Sequence, residues 1–150
     1  MKTHRAHVLC RNGAVAASQP LAVSAGLETL SRGGTAIDAA ITVSAVLSVI
    51  EPGASHLGGD AFVIAHDAAK KKQRAFTGSG EAPNGATSDQ FNLKIDHHGY
   101  RSATVPGLVS SWFEIHAYGG NLSMPEILQP AIDYARSGFP VTSGFVRRIS

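Results

Sequence analysis

A single apolar segment restricts what this chain can fold into more than any other feature of its sequence. Residues 36–50 carry polar side chains only at Asp38, Thr42, Ser44 and Ser48. The segment predicts a helix, and a helix that is apolar on all sides must be covered by other elements on all sides. It is too short to cross a membrane, which takes about 20 apolar residues. We therefore expect a central, buried helix around which the other elements pack.

The ends of this helix can be read from the residues that flank it. Thr35, followed three residues later by Asp38, is typical of a capping box, in which each side chain accepts a hydrogen bond from a backbone N–H that the first turn leaves unpaired. Pro52 and Gly53 end the helix. A buried catalytic carboxylate is the other interpretation of Asp38, but its spacing from Thr35 favours the cap.

The residues before the central helix predict one strand and one helix. A short strand is expected over residues 15–17, after a turn at residues 11–13. Ser18 and Pro20 then indicate the start of a helix, which ends at Gly33-Gly34. Three apolar side chains of this helix recur at spacings of four and three, which places them on one helical face: Val23, Leu27 and Leu30.

The middle of the chain has the pattern of a β-hairpin. Residues 61–65, Ala-Phe-Val-Ile-Ala, form an uninterrupted apolar run of strand length, which predicts a buried strand. Residues 66–72 are polar and turn-like, and residues 73–76 have the pattern of the returning strand. The hairpin then ends in the loop Gly-Ser-Gly-Glu-Ala-Pro at residues 78–83.

The regular spacing of apolar residues is lost after this loop and returns further along the chain. Residues 84–103 are expected to form a loop. Pro106 opens a helix that runs to Gly119-Gly120, and its Trp112 and Phe113 are expected in the core.

The last part of the sequence predicts two further helices. Ser123 and Glu126 form a second capping box, and Pro130 is expected to kink the helix that follows or to restart it as a second one. Ser143 is the expected cap of a final helix, whose apolar face is unfinished at Ser150. This unfinished face predicts that the chain is part of a longer protein.

Length and composition indicate one globular domain over residues 1–150, without an internal boundary. The chain has 150 residues, and 43% of them are hydrophobic, which is enough to bury a core. Its net charge of +2 comes from 13 basic and 11 acidic residues that are spread along the sequence. No basic stripe is present to bind a phosphate backbone or a lipid surface, so neither nucleic acid nor membrane is an expected partner.

The cysteine content and the first residues bear on location. One cysteine, Cys10, excludes an internal disulfide and is compatible with a reducing compartment. The apolar run at residues 8–10 is far shorter than the core of a signal peptide. We expect a cytoplasmic protein, and an exported form would need a leader that these residues do not contain.

Three short patterns have both a functional and a structural interpretation. Gly58-Gly59 lacks the lysine of a phosphate-binding loop, and Gly33-Gly34 follows a helix rather than the strand that a dinucleotide site requires. Both are therefore expected to be tight structural turns. Cys10 has no base near it in the sequence, so an incidental thiol is favoured over a nucleophile.

A group of histidines is the one candidate for metal binding. Asp96 and His97-His98, together with the more distant His56 and His66, offer ligands of a suitable kind. Adjacent histidines in a polar loop are more often solvated than metal-bound. The sequence therefore predicts neither a metal nor a cofactor.

Several motifs, in one collinear order from about residue 11 to residue 150, resemble the gamma-glutamyltransferase family. They are Arg11-Asn12-Gly13-Ala14-Val15-Ala16-Ala17-Ser18, Gly33-Gly34-Thr35-Ala36-Ile37-Asp38-Ala39-Ala40, Glu51-Pro52, Leu57-Gly58-Gly59-Asp60, Val105-Pro106-Gly107 and Gln129-Pro130-Ala131. The resemblance implies the fold class α+β: the N-terminal part of the αββα sandwich of an N-terminal-nucleophile hydrolase, rich in helices and with a buried strand hairpin.

The resemblance also implies a reaction and a partner. Family members are precursors that cut themselves into a large and a small subunit, and the new N-terminal threonine attacks a γ-glutamyl amide. In the family, this nucleophile and a glycine-pair oxyanion hole lie beyond the region that matches these 150 residues. The chain is therefore expected to contain no catalytic residue and to need the C-terminal part of the same precursor as its partner.

One family function is expected inside the chain, and here the sequence departs from the pattern. An arginine just before an Ala-Pro holds the α-carboxylate of the substrate in the family, at a position that matches Glu81 or, in other relatives, Ser79. A glutamate repels a carboxylate, so the sequence alone predicts that Glu81→Arg strengthens the binding of γ-glutamyl substrates. Two functions stay open: a segment of a γ-glutamyl amide hydrolase or transferase, and a non-catalytic relative that serves as a scaffold.

Overall fold

The computed structural model describes residues 9–91 and 98–149. The helices in these ranges are α1 (Pro20–Ser31), α2 (Ala36–Ile50), α3 (Leu108–Gly119), α4 (Met124–Ser137) and α5 (Ser143–Ile149). The strands are β1 (Ala61–Asp67) and β2 (Lys72–Gly78), and two 3₁₀ turns cover Ser88–Phe91 and Tyr100–Ser102. The chain is thus α+β and rich in helices, as predicted.

Helix α2 is the centre of the core. It packs against α1, α3 and α4, and Ile41, Val46 and Ile50 are at most 2% exposed. The prediction of burial on all sides is only partly confirmed, because Ala36 and Ala40 are exposed and several other residues are half-buried: Ile37, Val43, Ser44, Leu47, Ser48 and Val49. Within the described ranges, none of the helices combines the length and apolar character needed to span a membrane.

Helix α1 turns a different face to the core than its large apolar side chains suggest. Val23 and Leu30 are only half-buried and Leu27 is exposed. The buried residues are small ones: Ala22, Ala25, Gly26 and Thr29. Small side chains let α1 approach α2 closely, and burial here follows from that approach rather than from side-chain size.

Gly26 shows how close this approach is. A Cβ on Gly26 would lie 2.7 Å from the side chain of Val43 in α2 and 3.0 Å from that of Val15. The side chain of Val15 therefore packs against α1 at Gly26. The predicted strand at residues 15–17 is wrong, because within the described ranges the segment pairs with no strand.

The predicted hairpin is confirmed. Strands β1 and β2 pair in antiparallel register from Ala61↔Gly78 to Asp67↔Lys72. Residues alternate along β1: Val63 packs against the core, whereas Phe62 and Ile64 are 74% and 78% exposed. The interpretation of β1 as a buried strand therefore holds for one face only, because none of the residues that the structure describes covers the other face.

Helix α3 ends where it was predicted to end but begins at Leu108 rather than at Pro106, and one residue of its predicted core is exposed. Leu108, Ser111, Trp112 and Ile115 form the buried stripe of α3, and the indole Nε1 of Trp112 donates to Ser44 Oγ at 3.1 Å. Phe113 was expected in the core and is 55% exposed. One residue beyond Trp112 means a rotation of about 100° around the helix, which turns Phe113 away from α2.

Helix α4 begins at the predicted capping box. The Glu126 carboxylate accepts from the hydroxyl of Ser123 at 2.6 Å and from its backbone N at 2.9 Å, and these hydrogen bonds lower the pKa of Glu126. The helix continues through Pro130 without a restart, and Gly138, with a φ of 80°, ends it.

The last helix and the long loop each differ in detail from prediction. The cap of α5 is Thr142 rather than Ser143, because Thr142 Oγ1 accepts from the backbone N of Phe145 at 3.2 Å. Residues 84–103 were predicted as a loop, and their described part is loop apart from the two 3₁₀ turns. Residues 92–97 lie outside the described ranges.

Asp38 does more than cap α2. Its side chain is completely buried and accepts from the backbone N of Thr35 at 2.8 Å, of Asn121 at 3.0 Å and of Leu122 at 3.3 Å. The Nε2 atom of His116 lies 3.9 Å from the same carboxylate. The predicted cap is confirmed, and the same carboxylate also ties the start of α2 to the connection between α3 and α4.

Replacing Asp38 by asparagine should destabilise the chain by about 2 kcal/mol or more, because an amide group would face buried N–H donors that need an acceptor. Glu126→Gln is the matched control, since it makes the same chemical change in the exposed capping box of α4 and should cost less. Urea denaturation followed by the fluorescence of Trp112, the one tryptophan of the chain, measures both. Equal losses for the two variants would contradict the role given to Asp38.

Candidate functional site

The Gly58-Gly59 turn holds the start of α3. The carbonyl oxygen of Gly59 accepts from the backbone N of Gly107 at 3.1 Å and of Leu108 at 2.9 Å. A side chain at Gly59 would press on the carbonyl oxygen of His56, 3.1 Å from the position of a Cβ. The backbone of Gly59 thus positions a helix, which supports a structural role for this glycine.

The segment before α3 pairs with the loop that follows β2. Ser79 and Pro106 form an antiparallel bridge, and the backbone N of Gly80 donates to the carbonyl oxygen of Val105 at 3.1 Å. A Cβ on Gly80 would overlap the backbone of Val105. Glycine at this position is therefore what allows the two segments to lie side by side.

Beyond this bridge the two segments form the walls of an open groove of about 610 Å³. Residues 80–83 line one wall and residues 101–104 line the other, and Ala86, Ser88 and Phe91 complete the lining. The second wall is tied down by Thr104, whose hydroxyl donates to Asp60 Oδ1 at 2.7 Å and to Oδ2 at 2.9 Å.

Two charged side chains of opposite sign line the groove. Glu81 lies on the first wall and Arg101 on the second. The Nε of Arg101 donates to the hydroxyl of Tyr100 at 3.2 Å, and the guanidinium carbon lies 5.7 Å from the centre of the Tyr100 ring. Tyr100 thereby contacts the guanidinium group through both its hydroxyl and its ring.

The structure separates the two site positions that the sequence singled out. Glu81 is exposed and lines the groove, whereas Ser79 is half-buried in the bridge to Pro106 and does not line it. Sequence analysis missed Arg101, which lies in a segment where apolar residues have no regular spacing. The Val-Pro-Gly motif at residues 105–107 is the sequence signal that could have located Arg101, because Val105 pairs with the loop that contains Glu81.

The remaining candidates do not come together at this groove. Cys10 is exposed at the start of the described chain, and no group of three or more His, Cys, Asp or Glu side chains with metal-binding geometry occurs within residues 9–91 and 98–149. His56, His66 and His98 are exposed. The predicted ligands Asp96 and His97 lie outside the described residues.

Solved structures identify the class of protein to which this architecture belongs. The chain is similar to a cephalosporin acylase of Bacillus halodurans, with a TM-score of 0.86 and 38% identity over 98% of this chain and 28% of that one. It is also similar to a gamma-glutamyltranspeptidase of Helicobacter pylori, with a TM-score of 0.86 and 28% identity over 96% of this chain and 43% of that one. The fold is the N-terminal part of an N-terminal-nucleophile hydrolase, the αββα class.

The sequence assigns the chain to one family within this class. Residues 22–150 match the family profile described as Gamma-glutamyltranspeptidase. The chain is 42% identical to the glutathione hydrolase-like YwrD proenzyme of Bacillus subtilis over 126 residues, which are 82% of this chain and 24% of that protein. The chain belongs to the gamma-glutamyltranspeptidase family.

A second relative shows how much of such a protein these residues represent. The chain is 40% identical to the capsule biosynthesis protein CapD proenzyme of Bacillus anthracis over 135 residues, 90% of this chain and 23% of that protein. The chain thus spans about a quarter of the length of the curated relatives that it matches.

Gly80→Ala should destabilise the chain by about 1–3 kcal/mol and open the groove, because the added methyl group would push Val105 away. Gly85→Ala is the control: a Cβ at Gly85 meets nothing within 4 Å, so this variant should change stability by less than about 0.5 kcal/mol. Urea denaturation of both variants provides the comparison. A Gly80→Ala variant as stable as Gly85→Ala would show that the two walls are not held as described.

Proposed function

We propose that the chain is a segment of a γ-glutamyl amide hydrolase or transferase, similar to glutathione hydrolases, that is made as a self-cleaving precursor. The observation that carries the proposal is the match of nearly the whole chain to about a quarter of proteins named proenzymes, two of them glutathione hydrolases or similar to them. We place the nucleophilic threonine outside these 150 residues, so that this chain supplies binding groups rather than the nucleophile.

The proposed reaction is acyl transfer through an N-terminal threonine. The α-amine of the threonine takes the proton of its own hydroxyl, and the oxygen attacks the γ-carbonyl carbon of the substrate. The C–N bond of the amide breaks, and the amine leaves with a proton from the ammonium group. Water or an acceptor amine then cleaves the ester that links the acyl group to the threonine. No cofactor is needed for these steps.

We propose that the groove binds the acyl end of the substrate. Glu81 lines this groove at a position that matches the family's carboxylate-binding arginine, and Ser79, the other matching position, lies in the adjacent bridge. The bridge and the Thr104–Asp60 contact hold both walls in place. A preformed groove is favourable for binding a small ligand, because fewer groups must be ordered when the ligand arrives.

The open face of the hairpin is the proposed contact with the rest of the precursor. Phe62 and Ile64 are exposed side by side on β1, and their partners across the hairpin are Thr77 and Ala75. In an αββα sandwich two sheets pack face to face and bury such side chains between them. We propose that strands from the remaining sequence, including the small subunit, cover this face, and that residues 1–150 form one unit without an internal boundary.

A non-catalytic scaffold is the second candidate function, and the absence of arginine at positions 79 and 81 favours it. The spread of charge along the sequence supports neither nucleic acid nor a lipid surface as a partner of either candidate. The cytoplasmic location stays a prediction, which cell fractionation tests.

The 150-residue chain alone should not release chromophore from γ-glutamyl-p-nitroanilide, because the nucleophile and oxyanion hole that we place elsewhere are needed for turnover. The complete gene product should cut itself and then release the chromophore. N-terminal sequencing of the smaller product should give threonine as its first residue. Turnover by the purified 150-residue chain would contradict the proposed function, and a complete gene product that is folded but uncleaved and inactive would favour the scaffold.

The double variant Phe62→Thr with Ile64→Thr should bind less of a hydrophobic dye than the unaltered chain and self-associate less, because it removes the apolar surface of the open face. Trp112 emission should stay unchanged, since these side chains point away from the core. Val63→Thr is the matched control, as it lies between them and packs on the core, and it should lower stability instead. Unchanged dye binding in the double variant would show that this face is not the exposed apolar surface.

A further inference from the structure

The chain contains two Asn-Gly dipeptides, at residues 12–13 and 84–85, and the structure places them in different surroundings. Asn84 and Gly85 are the central residues of a turn, which is closed by a hydrogen bond from the backbone N of Ala86 to the carbonyl oxygen of Pro83 at 2.8 Å. Both central residues are exposed. A Cβ on Gly85 would meet nothing within 4 Å apart from its chain neighbours, so this turn is open to solvent.

The groups of this turn that could react with each other are not engaged elsewhere. Within the described ranges, no hydrogen bond holds the side-chain amide of Asn84 or the backbone N–H of Gly85. By contrast, Asn121 is held by a hydrogen bond from its Nδ2 to the carbonyl oxygen of Gly33 at 2.9 Å. Glycine reaches more backbone conformations than any other residue, so the backbone N of Gly85 can approach the Cγ atom of Asn84.

We propose that Asn84 is a site of spontaneous covalent modification, at which the backbone N of Gly85 attacks the side-chain Cγ of Asn84. The new N–Cγ bond closes a cyclic imide, the Cγ–Nδ2 bond breaks, and ammonia leaves with the proton of the Gly85 N–H. Solvent water then opens the ring at one of its two carbonyl carbons. Attack at Cγ gives aspartate, and attack at the backbone carbonyl carbon gives isoaspartate, whose main chain runs through Cβ and Cγ.

The same dipeptide at residues 12–13 lies against α1. Gly13 has a φ of 150°, and a Cβ on it would lie 3.1 Å from the side chain of Leu30. Its backbone must leave this contact before the N of Gly13 can turn towards the side chain of Asn12, and such local opening costs free energy. Asn12 should therefore react more slowly than Asn84, although the two dipeptides are chemically identical.

Either product changes the loop that forms the first wall of the groove. A carboxylate replaces a neutral amide three residues after Glu81, and isoaspartate also lengthens the main chain by one methylene group. Pro83 and Ala86, which close the turn, both line the groove. The modification therefore adds a negative charge beside the groove and, as isoaspartate, alters the spacing of its wall.

Peptide mapping by mass spectrometry, after incubation of the complete gene product in mildly alkaline buffer, tests the proposal. Trypsin cuts after lysine and arginine, so the two dipeptides fall on separate peptides, residues 12–32 and 75–94. Fragment ions distinguish Asn84 from Asn92 within the second peptide. In the folded protein Asn84 should react at least about tenfold faster than Asn12. In urea the two should react at similar rates, because the contact of Gly13 with Leu30 is lost.

Gly85→Ala is the matched variant, because it adds one methyl group to the attacking residue at a position where a Cβ meets no other atom. It should slow the reaction of Asn84 by about tenfold, since alanine reaches fewer backbone conformations, and leave Asn12 unaffected. Labelling by an isoaspartate-specific methyltransferase should fall in parallel. Equal rates at Asn12 and Asn84 in the folded protein would overturn the proposal, as would an unreacted Asn84 or a Gly85→Ala variant that reacts as fast as the unaltered protein.

Discussion

The buried carboxylate of Asp38 is the interaction on which the rest of this structure depends. It accepts hydrogen bonds from the backbone of the turn before α2 and of the connection between α3 and α4. A buried charge is tolerated only where such donors surround it. Asp38 therefore sets the position of α2 relative to α3 and α4, and the apolar contacts of Ile41, Trp112 and Ile127 form around that arrangement.

The packing of this core determines the shape of the groove. Helix α3 is fixed at its far end, where the hydroxyl of Thr35 donates to the carbonyl oxygen of Gly119, and at its start by the carbonyl oxygen of Gly59. The segment just before α3 is thereby held where Val105 can pair with Gly80. A ligand that binds between these walls meets groups that are already in position, which is how a rigid scaffold supports recognition by loops.

The exposed side chains are as informative as the buried ones. Phe62, Ile64 and Phe113 are large and apolar, and more than half of the surface of each is open to solvent. Sequence rules place such side chains inside, because apolar surface in water is unfavourable. The chain matches about a quarter of the length of its relatives, and our proposal is that further sequence covers these side chains.

The sequence by itself determined the helices of the core and the hairpin, because these depend on local chemistry, although the strand expected at residues 15–17 is not formed. The capping boxes at Thr35 and Ser123 and the apolar run of α2 act within a few residues, so helices and hairpin were predictable. Which face of α1 is buried, where Phe113 points and that Arg101 and Glu81 line the same groove depend on contacts between residues far apart in the chain. Only the tertiary structure decides these features. Close approach of α1 and α2 favours small residues over large ones in their contact. Pairing of segments that are distant in the chain places charged residues at one groove.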